Sequence, residues 1–359
     1  MVTLKDIAEK ANVSIATVSR VLNNKAGSIG ISEKTRQRVL QVARELDYQP
    51  NRLARSLRMG KTLKHILFIY VIGSQDDFFL HPFYHHMLHG VQLEAAKQGY
   101  YLSYVGLNAE TQDAVLNLID GEASGIISWG KIPDEVAERI ASQRLPLIAI
   151  EPYREFKDID YGSIYVDNDL AIKQALEFLV TCGHRRIGFL SEAGPELAQF
   201  EERRVAFEKW ISHYGLEIFP TQQLLVGSTP EPNAYWRGDL SGLKAWADAP
   251  TAQRPTAVIT SNDLAAISVV RHLKRLGWQI PRDLSVVGID DIALSVFNEP
   301  PLTTVRIPQE EIGILAVSLL DEILRNGCLD RVEHRVKTKL VVRETVKDLN
   351  VGGLTDADQ

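Results

Sequence analysis

Val13-Ser14-Ile15-Ala16-Thr17-Val18-Ser19-Arg20-Val21-Leu22 decides how the front of this chain is read. Val18, Val21 and Leu22 recur at helical spacing as one apolar stripe, which leaves Ile15, Ala16, Ser19 and Arg20 on the outward side. Ser14 stands where a helix needs an N-cap, because its short hydroxyl side chain satisfies an N–H of the first turn. Upstream, Thr3-Leu4-Lys5-Asp6 reads as a capping box, and Ile7, Ala8 and Ala11 continue it as a first helix. A third helix is expected after Ser32, with Val39, Leu40, Ala43 and Leu46 inward. Two helices across a tight turn, braced by a third, make a helix-turn-helix, whose second helix lies in the DNA major groove. A small helical bundle with no nucleic acid shares the bare pattern, so charge has to decide between them.

Residues 1–64 carry thirteen Lys or Arg against five Asp or Glu, a balance of +8; the whole chain is −6, which leaves −14 for the remainder. A basic module on an acidic body is the footprint of a protein that grips phosphates at one end only.

Several stretches together carry a family resemblance. They are Leu4-Lys5-Asp6-Ile7-Ala8, then Val13-Ser14 with Ala16 to Asn23, then Tyr48-Gln49-Pro50-Asn51-Arg52-Leu53-Ala54-Arg55-Ser56-Leu57. In wording and spacing the chain resembles the lactose/galactose repressor (LacI/GalR) family along nearly its whole length. The resemblance implies a ligand-responsive transcription regulator, usually a repressor, that binds a pseudo-palindromic operator in double-stranded DNA as a homodimer.

The 359 residues suit a small module plus a larger, two-lobed domain. A composition 45% hydrophobic and 24% charged is ordinary for a globular protein. Cys182 and Cys328 are the only cysteines, too few and too far apart for a disulfide framework, so a reducing cytoplasm is expected. Met1 leads into a polar capped helix, and no stretch approaches about 18 uninterrupted apolar residues, so neither secretion nor membrane insertion is expected.

Pro50 ends the three-helix unit, residues 1–50, because the residue before a proline is pushed from helical angles. Asn51 caps a short segment, Arg52 to Arg58, within a linker at 51–64. By itself this is a basic connector too short to hold as a helix. The resemblance implies a hinge helix that orders on operator binding and inserts Leu57 into the minor groove, where an apolar wedge unstacks a base step.

From residue 65 to 345, strand-like runs alternate with helical ones: His65 to Val71, Tyr101 to Val105, Gly125 to Ser128, Leu147 to Ile150, Arg186 to Leu190, Ala257 to Thr260, Leu284 to Gly288. Alternating βα units imply doubly wound parallel sheets. The fold class is therefore an all-α helix-turn-helix head plus an α/β, two-lobed domain of the periplasmic-binding-protein type. The lobes are expected near 65–165 and 166–295, with the chain crossing back after 295 and a polar tail at 346–359. No terminal leucine heptad supports a tetramerising coil, which favours a dimer.

Parallel-sheet lobes bind ligands beyond the carboxyl ends of their strands. Thr260-Ser261-Asn262-Asp263 and Gly288-Ile289-Asp290-Asp291 place acid and amide groups there. Carboxylates and amides fork onto adjacent sugar hydroxyls while an aromatic face covers the ring, although an Asp or Asn after a strand equally caps a helix. Gly183-His184-Arg185-Arg186-Ile187-Gly188-Phe189-Leu190, Ile280 to Asp291 and Pro301 to Val305 also resemble the family's effector-domain signatures. By that resemblance Asp290, Asn262 and Arg203 contact the ligand, Arg204 being the rival of Arg203. Trp236 is near the stacking aromatic, Phe83 or Tyr84 is the first lobe's contribution, and Glu151 joins them. The resemblance thus implies a small-molecule effector, a sugar such as galactose, and no cofactor; a nucleobase or other metabolite acting as corepressor is the alternative.

For DNA, Ile15 and Ala16 match the family's base-reading positions and Arg20 a third, where Arg can fork onto guanine. Ser14, Thr17 and Asn23 suit phosphate contacts. Thr3, Ser19 and the hinge residues Asn51, Leu53, Ala54 and Leu57 complete the implied set. The residues also bear on three rival functions. An enzyme is disfavoured because no Gly-x-Gly-x-x-Gly, phosphate loop or Gly-x-Ser-x-Gly is present. His81, His85 and His89 recur every four residues, but no Cys or paired carboxylate completes a metal sphere, so no metal is expected. A free-standing two-lobed binding protein would lack the basic front module.

Overall fold

The computed structural model describes residues 4–22, 31–46, 64–71, 81–121, 123–156, 159, 161–192, 198–216, 223–226, 239–327 and 333–351. The chain divides into two units, Met1–Leu63 and Lys64–Gln359.

The first unit holds α1 (Leu4–Ala11), α2 (Ile15–Leu22) and α3 (Glu33–Glu45). Asn12 turns the chain between α1 and α2 with φ 48°, a left-handed conformation that Asn tolerates. The Ser14 hydroxyl accepts the Thr17 N–H at 3.1 Å, so the expected cap is made, and Ser32 does the same for Thr35 at 3.2 Å. Ile7, Ala8, Ala11, Val18, Val21, Val39, Val42 and Ala43 form the core. Leu40 and Leu46, expected inward, are only half-buried, and Val42 takes the buried position on α3. Lys10 bridges α1 to Glu45 of α3 at 3.1 Å. The Thr3 side of the capping box and the linker of residues 51–63 lie outside the described residues.

The second unit is built on two six-stranded sheets. The first contains β1 (His65–Val71), β2 (Tyr101–Leu107), β3 (Gly125–Trp129), β4 (Leu147–Ile150), β5 (Tyr161–Val166) and β11 (Glu333–Val336), ordered β11-β5-β4-β3-β1-β2 and wholly parallel. The second contains β6 (Ile187–Glu192), β7 (Gln223–Val226), β8 (Ala257–Thr260), β9 (Ser285–Asp290), β10 (Thr303–Arg306) and β12 (Lys339–Val341), ordered β12-β10-β9-β8-β6-β7. Only the β10–β12 pairing of this sheet is antiparallel. The continuous apolar run Ile66 to Tyr70 is buried throughout, as a strand covered on both faces must be.

Helices connect these strands: α4 (Pro82–Gln98), α5 (Gln112–Gly121), α6 (Asp134–Ser142), α7 (Asn168–Thr181), α8 (Ala198–His213), α9 (Leu243–Asp248), α10 (Asp263–Arg275), α11 (Leu294–Phe297) and α12 (Gln309–Asn326). On α4, Pro82 occupies the first turn, His81 Nδ1 accepts the Phe83 N–H at 3.3 Å, and Gly99 at φ 77° ends the helix. Among the described residues no helix is long and apolar enough to cross a membrane.

The lobes are interwoven more than the chain order suggests. The first crossing follows Val166, where Asp167 caps α7 by accepting the Leu170 N–H at 2.9 Å. The return comes after Arg306 rather than after 295, because β10 is still a strand of the second sheet. The chain then lays α12 against α4 and adds β11 to the edge of the first sheet before going back to the second as β12. The start of the expected polar tail, 346–359, is largely exposed but anchored: the Lys347 N–H donates to Ser285 Oγ at 2.9 Å, the Leu349 N–H to Cys182 O at 2.9 Å and Asn350 Nδ2 to Thr181 O at 2.8 Å. His184 of the Gly-His-Arg-Arg stretch is buried and bonds Thr256 Oγ1 at 3.0 Å and Lys347 O at 3.0 Å, so it ties this segment to the second lobe. Burial holds its imidazole below the usual range.

Candidate functional site

A cleft lies at the carboxyl ends of strands from both sheets. Phe83, Tyr84, Glu151, Arg203, Asn262 and Asp290, six of the residues singled out from sequence, line it together. Trp236, the seventh, lies outside the described residues. Arg204, the rival of Arg203, faces away and pairs with Glu201 and Glu208 on its own helix.

Each polar group is placed by its element. Arg203 projects from α8 and is 4% exposed; its Nε donates to Asn168 Oδ1 at 2.8 Å, and Nη1 donates to Ser261 O and lies 3.8 Å from Asp290 Oδ1. Asp290 ends β9 with φ 128° and receives the Asp263 N–H at the start of α10. Burial pushes its carboxyl well above the usual carboxylate range, and the Arg203 guanidinium opposes that. Burial also pulls the Arg203 guanidinium down, with Asp290 and Glu151 holding it up. Asn262 does cap α10, its Oδ1 accepting the Ala265 N–H at 2.7 Å. Its amide still has two N–H donors for the cleft it lines. Behind Asp290, the buried Asp263 carboxylate takes the Ile292 N–H and the Ser295 and Thr304 hydroxyls. Gly288 is needed beside it, because a Cβ there would sit 2.1 Å from Asp263 Oδ1.

The opposite wall comes from the first lobe. Glu151 follows β4 at φ 50° and is 4% exposed; Oε1 accepts the Val166 N–H at 2.5 Å and Oε2 accepts the Tyr153 hydroxyl. Burial pushes this carboxyl up to about 8, against the Val166 hydrogen bond. Phe83 and Tyr84 meet edge-on, with ring centroids 5.3 Å apart, and Trp129 approaches them at 5.7 Å and 5.2 Å. His81, Trp129, Val166, Asn168, Gln199 and Phe200 also line the cleft and were not assigned to it from sequence. Trp129 stands at the end of β3, where the strand-end rule would have found it, whereas Val166 and Asn168 end or follow β5, a strand that the sequence does not mark. This set combines fixed acid, amide and guanidinium groups with an aromatic wall, which is how sugars and small heterocycles are held.

The histidines of the series have separate surroundings. His81 caps α4, His85 is exposed, and His89 pairs with Glu310 at 3.3 Å. Among the described residues no three His, Cys, Asp or Glu side chains are placed to hold a metal ion.

In the first unit, α2 exposes Ile15, Ala16 and Arg20 while Val18 and Val21 are buried, which is the division a groove-reading helix requires. Ile15 keeps 45% of its surface exposed. The Ser14 and Thr17 hydroxyls lie 2.9 Å apart at the start of the helix. The side chain of Ser19, and all of Thr3, Asn23, Asn51, Leu53, Ala54 and Leu57, lie outside the described residues.

Comparison with known proteins matches residues 3–51 to the family model of bacterial regulatory proteins, lacI family, and residues 176–346 to a periplasmic binding protein-like domain. The chain is 29% identical to the HTH-type transcriptional repressor CytR of Escherichia coli K12, over 97% of each chain. It is also 29% identical to the repressor PurR of Vibrio vulnificus CMCP6, over 98% of this chain and all of that one. Among solved structures, the lac repressor dimer bound to operator and the anti-inducer ONPF aligns with a TM-score of 0.71 at 25% identity, covering 96% of this chain and 99% of that one.

Proposed function

Because the chain belongs to the lacI family of bacterial regulatory proteins, we propose that it is a cytoplasmic, homodimeric repressor released from a palindromic operator by a small sugar. It is a DNA-binding transcriptional regulator that responds to a small ligand, and family members of this kind are regulators rather than enzymes. The observation that carries the sugar reading is the convergence of Asp290, Arg203, Asn262 and Glu151 opposite the Phe83, Tyr84 and Trp129 rings in one cleft. Ser14 and Thr17 hold phosphates, Arg20 reads a base edge, and Ile15 and Ala16 make apolar base contacts; the hinge segment with Leu57 enters the minor groove. Ligand closes the lobes, closure shifts the first lobes of the two subunits, and the paired hinge helices are lost. The aromatic wall equally suits a flat heterocycle, and a nucleobase corepressor is the second reading.

The test is thermodynamic reciprocity. An operator is selected from random inverted-repeat duplexes, and the sugar is titrated into the dimer with and without it. Operator must weaken sugar binding by the factor with which sugar weakens operator binding. Equal sugar affinity in both states overturns induction, and tighter binding with operator present establishes corepression.

A further inference from the structure

The charges of the cleft do not balance within the described residues. Its permanently charged or acidic side chains are Glu151, Asp290 and Arg203. The arginine is engaged in the second lobe, donating to Asn168 and Ser261 and standing 3.8 Å from Asp290. Glu151, on the other wall, has no ion-pair partner among the described residues, and its oxygens take two neutral donors, the Val166 N–H and the Tyr153 hydroxyl. The surrounding groups do not replace a cation. Arg335 of β11 and Arg203 of α8 act on Glu151 through space, Glu202 of α8 opposes them, Tyr165 of β5 stacks edge-on against Tyr153, and His81 lines the same cleft at the head of α4.

A carboxylate offers about four lone-pair sites, so two donors leave Glu151 with acceptor capacity. Buried and uncompensated, it has two ways out: it takes a proton, or it meets a cation. A second feature points to the cation. Phe83, Tyr84 and Trp129 gather their rings within 5.2–5.7 Å of one another in the same cleft, and the faces of such rings attract positive charge.

We propose that the ligand of this cleft is an amino sugar, its hydroxyls taken by Asp290, Arg203 and Asn262 and its protonated amine held by Glu151 beside the aromatic wall. The inference rests on reading the cleft as a sugar site and adds the ligand's charge. An ammonium makes the filled cleft neutral, whereas a neutral sugar leaves Glu151 either protonated or as an unmatched buried charge. Because burial raises Glu151 to about 8, the empty cleft holds a proton there at neutral pH, and an arriving cation expels it.

The experiment is isothermal titration of the full-length dimer with D-glucosamine, D-galactosamine and D-mannosamine, each beside its neutral parent and its N-acetyl derivative. At least one amine is expected to bind about tenfold or more tighter than both neutral counterparts. At about pH 6.5, where the sugar amine is already charged, titration in two buffers of different ionisation enthalpy should show release of close to one proton. Glu151→Gln should abolish the preference; if that variant does not fold, proton release by the unmodified chain decides alone. Amine binding without proton release overturns the proposal. Preferential binding of a neutral sugar overturns it too, and leaves the sugar-responsive repressor standing. Binding by no member of the panel overturns both.

Discussion

Asn168 Oδ1 accepts the Arg203 Nε–H at 2.8 Å, while Asn168 Nδ2 donates to Glu202 Oε2 at 2.8 Å, so one amide holds two neighbouring side chains that carry opposite charge. Asn168 opens α7 directly after the first crossing between lobes, and this fixes the guanidinium at the point where the two lobes join. Asn168→Ala leaves a buried Arg203 N–H without its acceptor, which costs about 1–3 kcal/mol. The urea midpoint should fall with an unchanged slope, and ligand affinity should fall about fivefold or more as Arg203 loses its aim.

The buried carboxyls give their share of the pH dependence of stability a definite sign. Burial raises Glu151 from an ordinary 4.5 to about 8 and Asp263 from 3.8 to about 6, so between the unfolded and folded values the native chain binds more protons than the unfolded one. The contribution of these two carboxyls to stability then falls as pH rises through that window; Asp290, also raised, adds to the fall, and the lowered His184 opposes it near pH 6.5. Glu151→Gln should remove the share of Glu151, which runs from about pH 4.5 to 8, and leave that of Asp263 between about 3.8 and 6, so the change is cleanest between about pH 6 and 8. Urea midpoints of both chains across this range check it; an unchanged upper slope would mean that Glu151 is not the group titrating there.

On the DNA side, Ser14 and Arg20 should separate positioning from reading. Ser14→Ala removes the acceptor of the Thr17 N–H, so the head should lose about 0.5–2 kcal/mol and bind specific and random duplex proportionately less. Arg20 is exposed on the outward side of α2, and Arg20→Ala should weaken the selected operator by about 1–3 kcal/mol more than random DNA. Fluorescence anisotropy on both duplexes at one salt concentration makes the comparison. Equal loss on the two would make Arg20 a phosphate contact.

Much of this architecture was legible because local chemistry and burial agree. Ser14 and Ser32 make the caps their positions demand, and Val18 and Val21 bury the stripe that their spacing marks. Asn262 shows that two readings held as alternatives are compatible: its Oδ1 caps α10 and its amide still faces the cleft. What stayed hidden was set by distant pairing. Glu333-His334-Arg335-Val336 is a short, polar edge strand whose place beside Tyr161–Val166 depends on α12 first crossing back, and no local pattern encodes that. Asn168 stayed hidden because the strand it follows, Tyr161–Val166, is not among the runs that the sequence marks.

The residue after Asp290 supplies the last prediction. Asp290 and Asp291 adopt φ 128° and 56°, and non-glycine residues persist there only when their surroundings hold them. Asp291, with 5% of its side chain exposed, accepts Arg343 Nη2 at 2.5 Å and Arg306 Nε at 2.6 Å. Arg343 is anchored in turn: its Nη1 donates to Leu302 O at 2.7 Å and its backbone N–H to Thr303 Oγ1 at 2.9 Å. Its side chain is 16% exposed, whereas that of Arg306 is 53% exposed. The two arginines should therefore differ. Arg306→Met loses a solvent-screened pair and should change stability by less than about 1 kcal/mol. Arg343→Met removes charge-assisted bonds from the buried side and should cost about 1.5–3 kcal/mol. It should also lower affinity for the releasing sugar, because Asp290 is aimed by the same turn, while operator binding stays intact. Calorimetric affinity and urea midpoints of both variants make the test, and equal damage from the two would show that Asp291 is held by charge alone and that Arg343 has no positioning role.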